Sequence, residues 1–337
     1  MLTERLSAHF ADYVKEQQYS GVIAVARAGD IVFQQAYGMA NYEHQVPVRL
    51  DTKFYIASIT KPMTAMAVLM LSEEGRLELH RSVRAYLPEL TQVDERITLH
   101  QLLTHTSGLP DFEVLWDFQA QKQKLLYPGA RILELIEGQP LDFEPGTGWK
   151  YCNTGYNLLG LVIERISGVS YSDFLRKRIL EPLGMSDTGF GDAQSIVEDL
   201  ASGYTRPEGA DLLVKAPYFE IENFMASGHM YSTAADLLRW EMALRTTRLV
   251  SVETLALIFS PHAPASPGRH YGYGWSVYEN SAGHGGWLPG YWSKFRRYPD
   301  GQVAVIMLGN HDHTKENDIL DRTYRLCCDS LKQAGIS

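Results

Sequence analysis

The sequence predicts an α and β protein in which an antiparallel sheet flanked by helices carries a mainly helical subdomain. Three observations lead there. Alternating and β-branched runs occur at both ends of the chain, over residues 21–37 and again from Tyr271. The stretch from Glu73 to about Gln194 is helical in texture, with long loops and few β-branched runs. Amphipathic helix patterns stand at both termini. One sheet assembled from two distant parts of the chain is the simplest packing of that order. We therefore expect one unit over 1–337, with an α/β part of about 1–72 plus 223–337 and a helical insert of about 73–222.

Residues 3–18 read as an amphipathic helix, followed by strands over 21–28 and 31–37 that meet at Gly29-Asp30, a strong hairpin signal. A loop over 38–53 leads to a helix in which Met63, Met66, Ala67, Met70 and Leu71 recur at helical spacing. Val68 and Leu69 fill the other face, so this helix is expected to be buried nearly all round. Thr98-Leu99-His100-Gln101 is a capping box opening a short helix, with Ser107-Gly108 as its stop. The turn-rich run Phe143-Glu144-Pro145-Gly146-Thr147-Gly148 delivers Trp149-Lys150-Tyr151-Cys152-Asn153 to a helix over 156–167 that ends at Gly168. Ser172 is expected to cap a further helix closed by Pro182-Leu183-Gly184, and Ser232-Thr233 to cap one over 237–245. Strands follow over 271–278, 291–298 and 303–308, the last two joined by Pro299-Asp300-Gly301, and a helix over 315–333 ends the chain. No repeat or low-complexity linker appears.

At 337 residues, with 45% hydrophobic and 21% charged residues, the chain can bury a sizeable core. A formal charge of −9 without a basic cluster argues against nucleic acid or an anionic membrane as partner. The longest apolar run, Met63 to Leu71 with its flanks, is too short to span a bilayer. Cys152, Cys327 and Cys328 suit a reducing compartment and no disulfide framework. The mixed segment Met1-Leu2-Thr3-Glu4-Arg5 lacks the basic and apolar pattern of a secretion signal, so the chain as written is expected in the cytoplasm. Nothing in it fixes an oligomeric state.

Three short patterns carry chemistry. In Ser58-Ile59-Thr60-Lys61 a hydroxyl and an amine lie one helical turn apart, the reach a lysine needs to draw a serine proton. Pro62 places the pair at a helix start, where unpaired N–H groups favour developing negative charge. S-x-x-K arises by chance roughly once in such a chain, so its weight comes from that setting. Tyr151-Cys152-Asn153 offers a phenol able to shuttle a proton and an amide able to donate and accept. Gly283-His284-Gly285-Gly286-Trp287 precedes an expected strand, its glycines letting a substrate lie against backbone. The site is expected where sheet meets insert. His311-Asp312-His313 reads as a polar loop rather than a metal site, and His100 and His105 as capping and packing residues. No G-x-S-x-G elbow, P-loop or dinucleotide fingerprint is present, so neither a cofactor nor a metal is expected.

Taken in order and at these separations, Ser58-x-x-Lys61, Tyr151-x-Asn153 and His284-Gly285-Gly286 resemble the penicillin-recognising serine hydrolases. The resemblance is nearest to their branch of class C β-lactamases, D-alanyl-D-alanine carboxypeptidases and family VIII esterases. Leu102-Leu103-Thr104-His105-Thr106-Ser107-Gly108-Leu109, the stretch from Gly228 to Leu237, and Tyr37-Gly38-Met39-Ala40-Asn41 look like this family too, so the likeness runs over nearly the whole chain. It implies a β-lactamase/transpeptidase-like fold and a cofactor-free hydrolase that forms an acyl-enzyme on Ser58. Lys61 and Tyr151 would share the proton work as a pair, Asn153 would hold the acyl side chain, and the backbone N–H groups of Ser58 and Trp287 would meet the oxyanion. The substrate would be a small ester, amide or β-lactam. The family usually carries a lysine or histidine, then threonine or serine, then glycine at its third motif, the hydroxyl gripping a substrate carboxylate. Gly285 removes that hydroxyl and His284 replaces the commoner lysine, so a weaker hold on anionic substrates and a bias to esters or small amides are expected. Trp149, Tyr151, Tyr273, Trp287 and Trp292 are expected to supply an apolar lining. The alternative is a penicillin-binding or sensor protein of the same fold with little or no turnover.

Overall fold

The computed structural model describes every residue except 1, 116–118, 120, 128, 193, 208–211, 301, 313–317 and 334–337. Gly301 of the expected turn, His313 and residues 315–317 of the expected last helix lie outside the described residues.

Its main sheet contains β1 (Gly21–Arg27), β2 (Asp30–Tyr37), β3 (Ala263–Ser266), β4 (Arg269–Tyr271), β5 (Ser276–Val277), β6 (Ala282–Leu288), β7 (Tyr291–Tyr298) and β8 (Val303–Gly309). Among the described residues they lie in the order β3-β4-β5-β6-β7-β8-β1-β2, every neighbouring pair antiparallel. β1 and β8 are the seam between the two ends of the chain, with Gly21 opposite Gly309 and Arg27 opposite Val303. Left-handed Ala28 (φ 52°) and Gly29 (φ 93°) make the tight turn into β2.

Both faces of the sheet are covered, which is why β8 is apolar and buried along its whole length. Ile23, Val25, Val305 and Met307 meet Leu6 and Phe10 of α1 (Leu2–Gln17) and Leu320 of the last helix (Ile319–Gln333). Val22, Ala24, Ile306 and Leu308 face the larger core, shared with α2 (Thr60–Glu73) and the helix Ala234–Ala243. In α2 every residue from Thr60 to Leu71 is buried, as its all-round apolar pattern requires. Among the described residues no helix is long and apolar enough to cross a membrane.

Several local expectations shift. α3 (Leu99–Thr104) has the capping box at Thr98 and Gln101, but it stops at left-handed His105 (φ 61°), ahead of Ser107-Gly108. The reason is tertiary: the His105 carbonyl accepts from Lys150 N at 3.0 Å and its Nδ1 from Cys152 N at 3.1 Å. Ser170, not Ser172, caps the helix that begins at Tyr171, accepting from Asp173 N at 3.1 Å. α4 (Asn153–Ser167) starts earlier than expected, making Asn153 its first residue. The expected strand over 271–278 is broken into β4 and β5 by Gly274 (φ 78°), which lies so close to α2 that a Cβ there would sit 2.9 Å from the Lys61 carbonyl oxygen. The glycine run at 283–287 does not precede a strand; it is the body of β6. The 38–53 loop contains the short pair Met39–Asn41 and Val46–Pro47. The helix Val252–Ile258 and strand β3 carried no recognisable signal.

Candidate active site

Ser58 sits in the 3₁₀ turn Ala57–Ile59, which runs directly into α2 and leaves Pro62 in the first helical turn. Ala57 takes a left-handed conformation (φ 48°), rare for a residue with a side chain, and this bends the chain just before the serine. Two neighbours fix the bend. Ser293 Oγ donates to the Ile56 carbonyl at 2.8 Å. β6 lies against the turn at Gly286, where a Cβ would fall 2.2 Å from Ile56 O and 2.9 Å from Ala57 Cβ, so only glycine permits the approach. Ser58 itself is half-buried, opening on a cavity of about 500 Å³.

Lys61 is wholly buried one turn on. Its Nζ donates to Ser58 Oγ at 3.0 Å, to Asn153 Oδ1 at 2.7 Å and to the Ser227 carbonyl at 2.7 Å. Burial pulls its pKa down to about 7, although the nearby Glu113 and Asp111 carboxylates pull the other way. The amine stands 4.7 Å from the centre of the Tyr151 ring. Burial drives the Tyr151 phenol well above the ordinary tyrosine range, and Ser58 is the neighbour that draws it partway back. Its oxygen is buried and has no hydrogen-bond partner within bonding geometry among the described residues.

Asn153 is engaged at both ends. Its Oδ1 accepts from Lys61, while Nδ2 donates to Asp111 Oδ2 at 3.3 Å and to Glu113 Oε2. Glu113 lines the cavity, and burial, reinforced by Asp111, raises its pKa to about 7. Asn153 thus bridges an amine and a carboxyl that both titrate near neutrality.

On the opposite wall β6 carries His284, Gly285, Gly286 and Trp287. The His284 ring is locked between Tyr271 Oη (2.9 Å from Nε2) and the Gly285 carbonyl (2.6 Å from Nδ1). Burial first, and Lys61 second, hold its pKa at about 3, so it is neutral: Nδ1–H donates to Gly285 and Nε2 accepts from Tyr271. β5 pairs with β6 only at Gly283 and Ala282, so the rest of β6 has no strand neighbour on the side of β5 among the described residues. Trp287 is 54% exposed at the rim and donates from Nε1 to the Asp312 carbonyl at 3.0 Å.

All eight residues singled out in the sequence therefore come together: seven of them, Ser58, Tyr151, Asn153, His284, Gly285, Gly286 and Trp287, line one cavity, and Lys61 lies directly behind Ser58. Of the aromatic residues, Trp149, Trp287 and Trp292 line it with Tyr151, but Tyr273 does not: its hydroxyl pairs with His100 Nδ1 at 2.8 Å elsewhere. Sequence reasoning missed Glu113, Arg269, Lys294 and Arg296, which also line the cavity. Only the pairing of distant strands and loops brings them there, and none belongs to a short pattern. Among the described residues no group of three metal-capable side chains is arranged to hold an ion.

The family profile described as Beta-lactamase matches residues 6–327. A penicillin-binding protein of Bacillus subtilis (strain 168) is 30% identical over 333 residues, covering 93% of this chain and 73% of that protein. Esterase EstB of Burkholderia gladioli is 34% identical over 289 residues, 76% of this chain and 73% of its own. Among solved structures, the D-amino acid amidase from Ochrobactrum anthropi SV3 complexed with L-phenylalanine amide superposes with a TM-score of 0.82 at 26% identity, covering 99% of each chain.

Proposed function

This chain belongs to the Beta-lactamase family and is a serine hydrolase, and from that premise we propose that Ser58 is its nucleophile, acting through an acyl-enzyme on small esters or amides. The observation that carries the proposal is the contact between Lys61 Nζ and Ser58 Oγ at 3.0 Å, with the lysine desolvated until it titrates at about 7.

Neutral Lys61 takes the Ser58 proton as Oγ attacks the acyl carbon. The carbonyl electron pair moves to oxygen, where backbone N–H groups of the Ser58 turn and of β6 at Trp287 receive it. When the intermediate collapses, the leaving alcohol or amine takes a proton from the Tyr151 phenol, which recovers one from the Lys61 ammonium. Water then attacks the acyl-enzyme, giving up its proton to the same amine, and the acid departs as Ser58 is reprotonated. The opposite pKa movements support unequal parts, with Lys61 as the base and Tyr151, held neutral by burial, as the proton carrier. Asn153 orients Lys61 and would meet the acyl group only by releasing Glu113.

The names of the relatives support esters and amides alike: one is an esterase and one an amidase. Hydrolysis of a short-chain p-nitrophenyl ester, with Ser58→Ala as control, tests the reading. Turnover that vanishes in the variant supports it, and turnover that persists there overturns it.

A further inference from the structure

No hydrogen bond in bonding geometry among the described residues fixes the hydroxyl end of Tyr151, and residues 149–152 lie outside any helix or strand. Whatever aims the phenol at Ser58 must therefore act on the face of its ring and on the backbone to either side of it.

His105 does both. It is 1% exposed and follows α3 in a left-handed conformation (φ 61°). Its carbonyl accepts from Lys150 N at 3.0 Å and its Nδ1 from Cys152 N at 3.1 Å, so it grips the chain on both sides of Tyr151. Asp111 Oδ2 takes the next amide, Asn153 N, at 3.1 Å. The His105 ring centre lies 4.3 Å from that of Tyr151, against 6.1 Å for His284 and 6.5 Å for Tyr271. His105 is itself wedged, its ring centre 4.5 Å from Tyr271 and 5.1 Å from Tyr156. Behind it α3 is anchored by the capping box of Thr98 and Gln101.

An Nδ1 that accepts a hydrogen bond leaves the ring proton on Nε2. Burial first, then Lys61 and His284, hold the His105 pKa well below the ordinary histidine range, so the ring stays neutral and Nδ1 stays an acceptor. Nε2 is buried without a hydrogen-bond partner among the described residues. Nδ1 is thus the ring atom that ties His105 to the segment carrying Tyr151.

We propose that His105 is a positioning residue for Tyr151, holding the phenol through Nδ1 and the face of its ring at the place beside Ser58 and Lys61 from which a proton can pass. This goes beyond the capping and packing expected of His105, and it rests on the reading of Tyr151 as proton carrier. Misplacing a reacting group by about 1 Å costs on the order of a hundredfold in rate.

Two substitutions separate the ring nitrogens. Asparagine puts an amide oxygen where Nδ1 stands and tolerates left-handed backbone, whereas glutamine carries the same amide one carbon further out, at the place of Nε2. The readout is kcat/KM for phenyl acetate in His105→Asn and His105→Gln, each made in wild type and in Tyr151→Phe, with thermal melts to confirm folding. The proposal predicts a loss of about tenfold or more in His105→Gln and a value within about threefold of wild type in His105→Asn. In the Tyr151→Phe background, where no phenol is left to position, His105→Gln should cost less than about threefold. An equal cost of His105→Gln in both backgrounds, no cost at all, or a loss in folded His105→Asn as large as in His105→Gln overturns the inference and leaves the hydrolase reading intact. If His105→Gln does not fold, His105→Asn decides: near-wild-type kcat/KM supports the inference, and a loss of about tenfold or more that persists in Tyr151→Phe overturns it. Near-normal kcat/KM in Tyr151→Phe itself removes the phenol from the reaction and this inference with it. Absence of turnover by wild type counts against the hydrolase reading, and the inference falls with that reading.

Discussion

Asn153 accepts a hydrogen bond from Lys61 Nζ at 2.7 Å and donates one to Glu113 on its other side, so the amine beside Ser58 and a cavity carboxyl are joined by one side chain. Both groups titrate near 7 for the same reason, desolvation, which pushes the amine down and the carboxyl up. The protonation of Lys61 at neutral pH is thereby tied to a residue on a different part of the chain.

A shift in the pH profile follows. Lys61 works as a base only when neutral, so kcat/KM for an ester should rise with pH through about 7. The Glu113 charge favours the ammonium form; Glu113→Gln keeps an acceptor for Asn153 but removes that charge, so the Lys61 pKa falls further. The acid limb of kcat/KM should move to lower pH in the variant. A limb that stays in place or moves up would contradict the link.

Tyr151→Phe keeps the ring beside Lys61 and His105 but removes the hydroxyl proposed to carry the proton. We expect kcat to fall on the order of a hundredfold, with KM changed far less. Because burial raises the phenol pKa well above its usual value, wild type should show no loss of rate from tyrosine ionisation up to about pH 10. Near-normal kcat in Tyr151→Phe would remove the phenol from the reaction.

The two glycines of β6 should answer differently to one added methyl group. In Gly286→Ala the new carbon meets the backbone oxygen of Ile56, which cannot move without disturbing the serine turn. A loss of stability of about 1–3 kcal/mol, together with most of the activity, is expected. In Gly285→Ala the carbon meets only the flexible end of Lys294, so thermal unfolding should stay within about 0.5 kcal/mol of wild type. Equal destabilisation of the two variants in thermal melts would contradict this contrast.

How far the sequence reaches can be read from these same residues. Ser58, Lys61 and Pro62 stand within five positions and their relation is local, so helical spacing alone placed the hydroxyl and amine together. The hairpin at Gly29-Asp30 and the all-buried α2 are local in the same sense, set by turn chemistry and apolar period. Gly283-His284-Gly285-Gly286 is different, because glycines carry no alternation, and β6 is a strand only through its pairing with β7. The left-handed Ala57 is likewise invisible, being imposed by the packing of β6 and Ser293 around it. Glu113 and Lys294 are ordinary charged residues along the chain, and only tertiary contacts turn one towards Asn153 and the other over Gly285.

The most direct test of the account is intact-mass and peptide-mapping spectrometry of the protein quenched during turnover of a p-nitrophenyl ester. The account predicts one added acyl group, mapped to Ser58, in wild type and none in Ser58→Ala. An acyl group carried on another residue, or steady hydrolysis by Ser58→Ala, would contradict it.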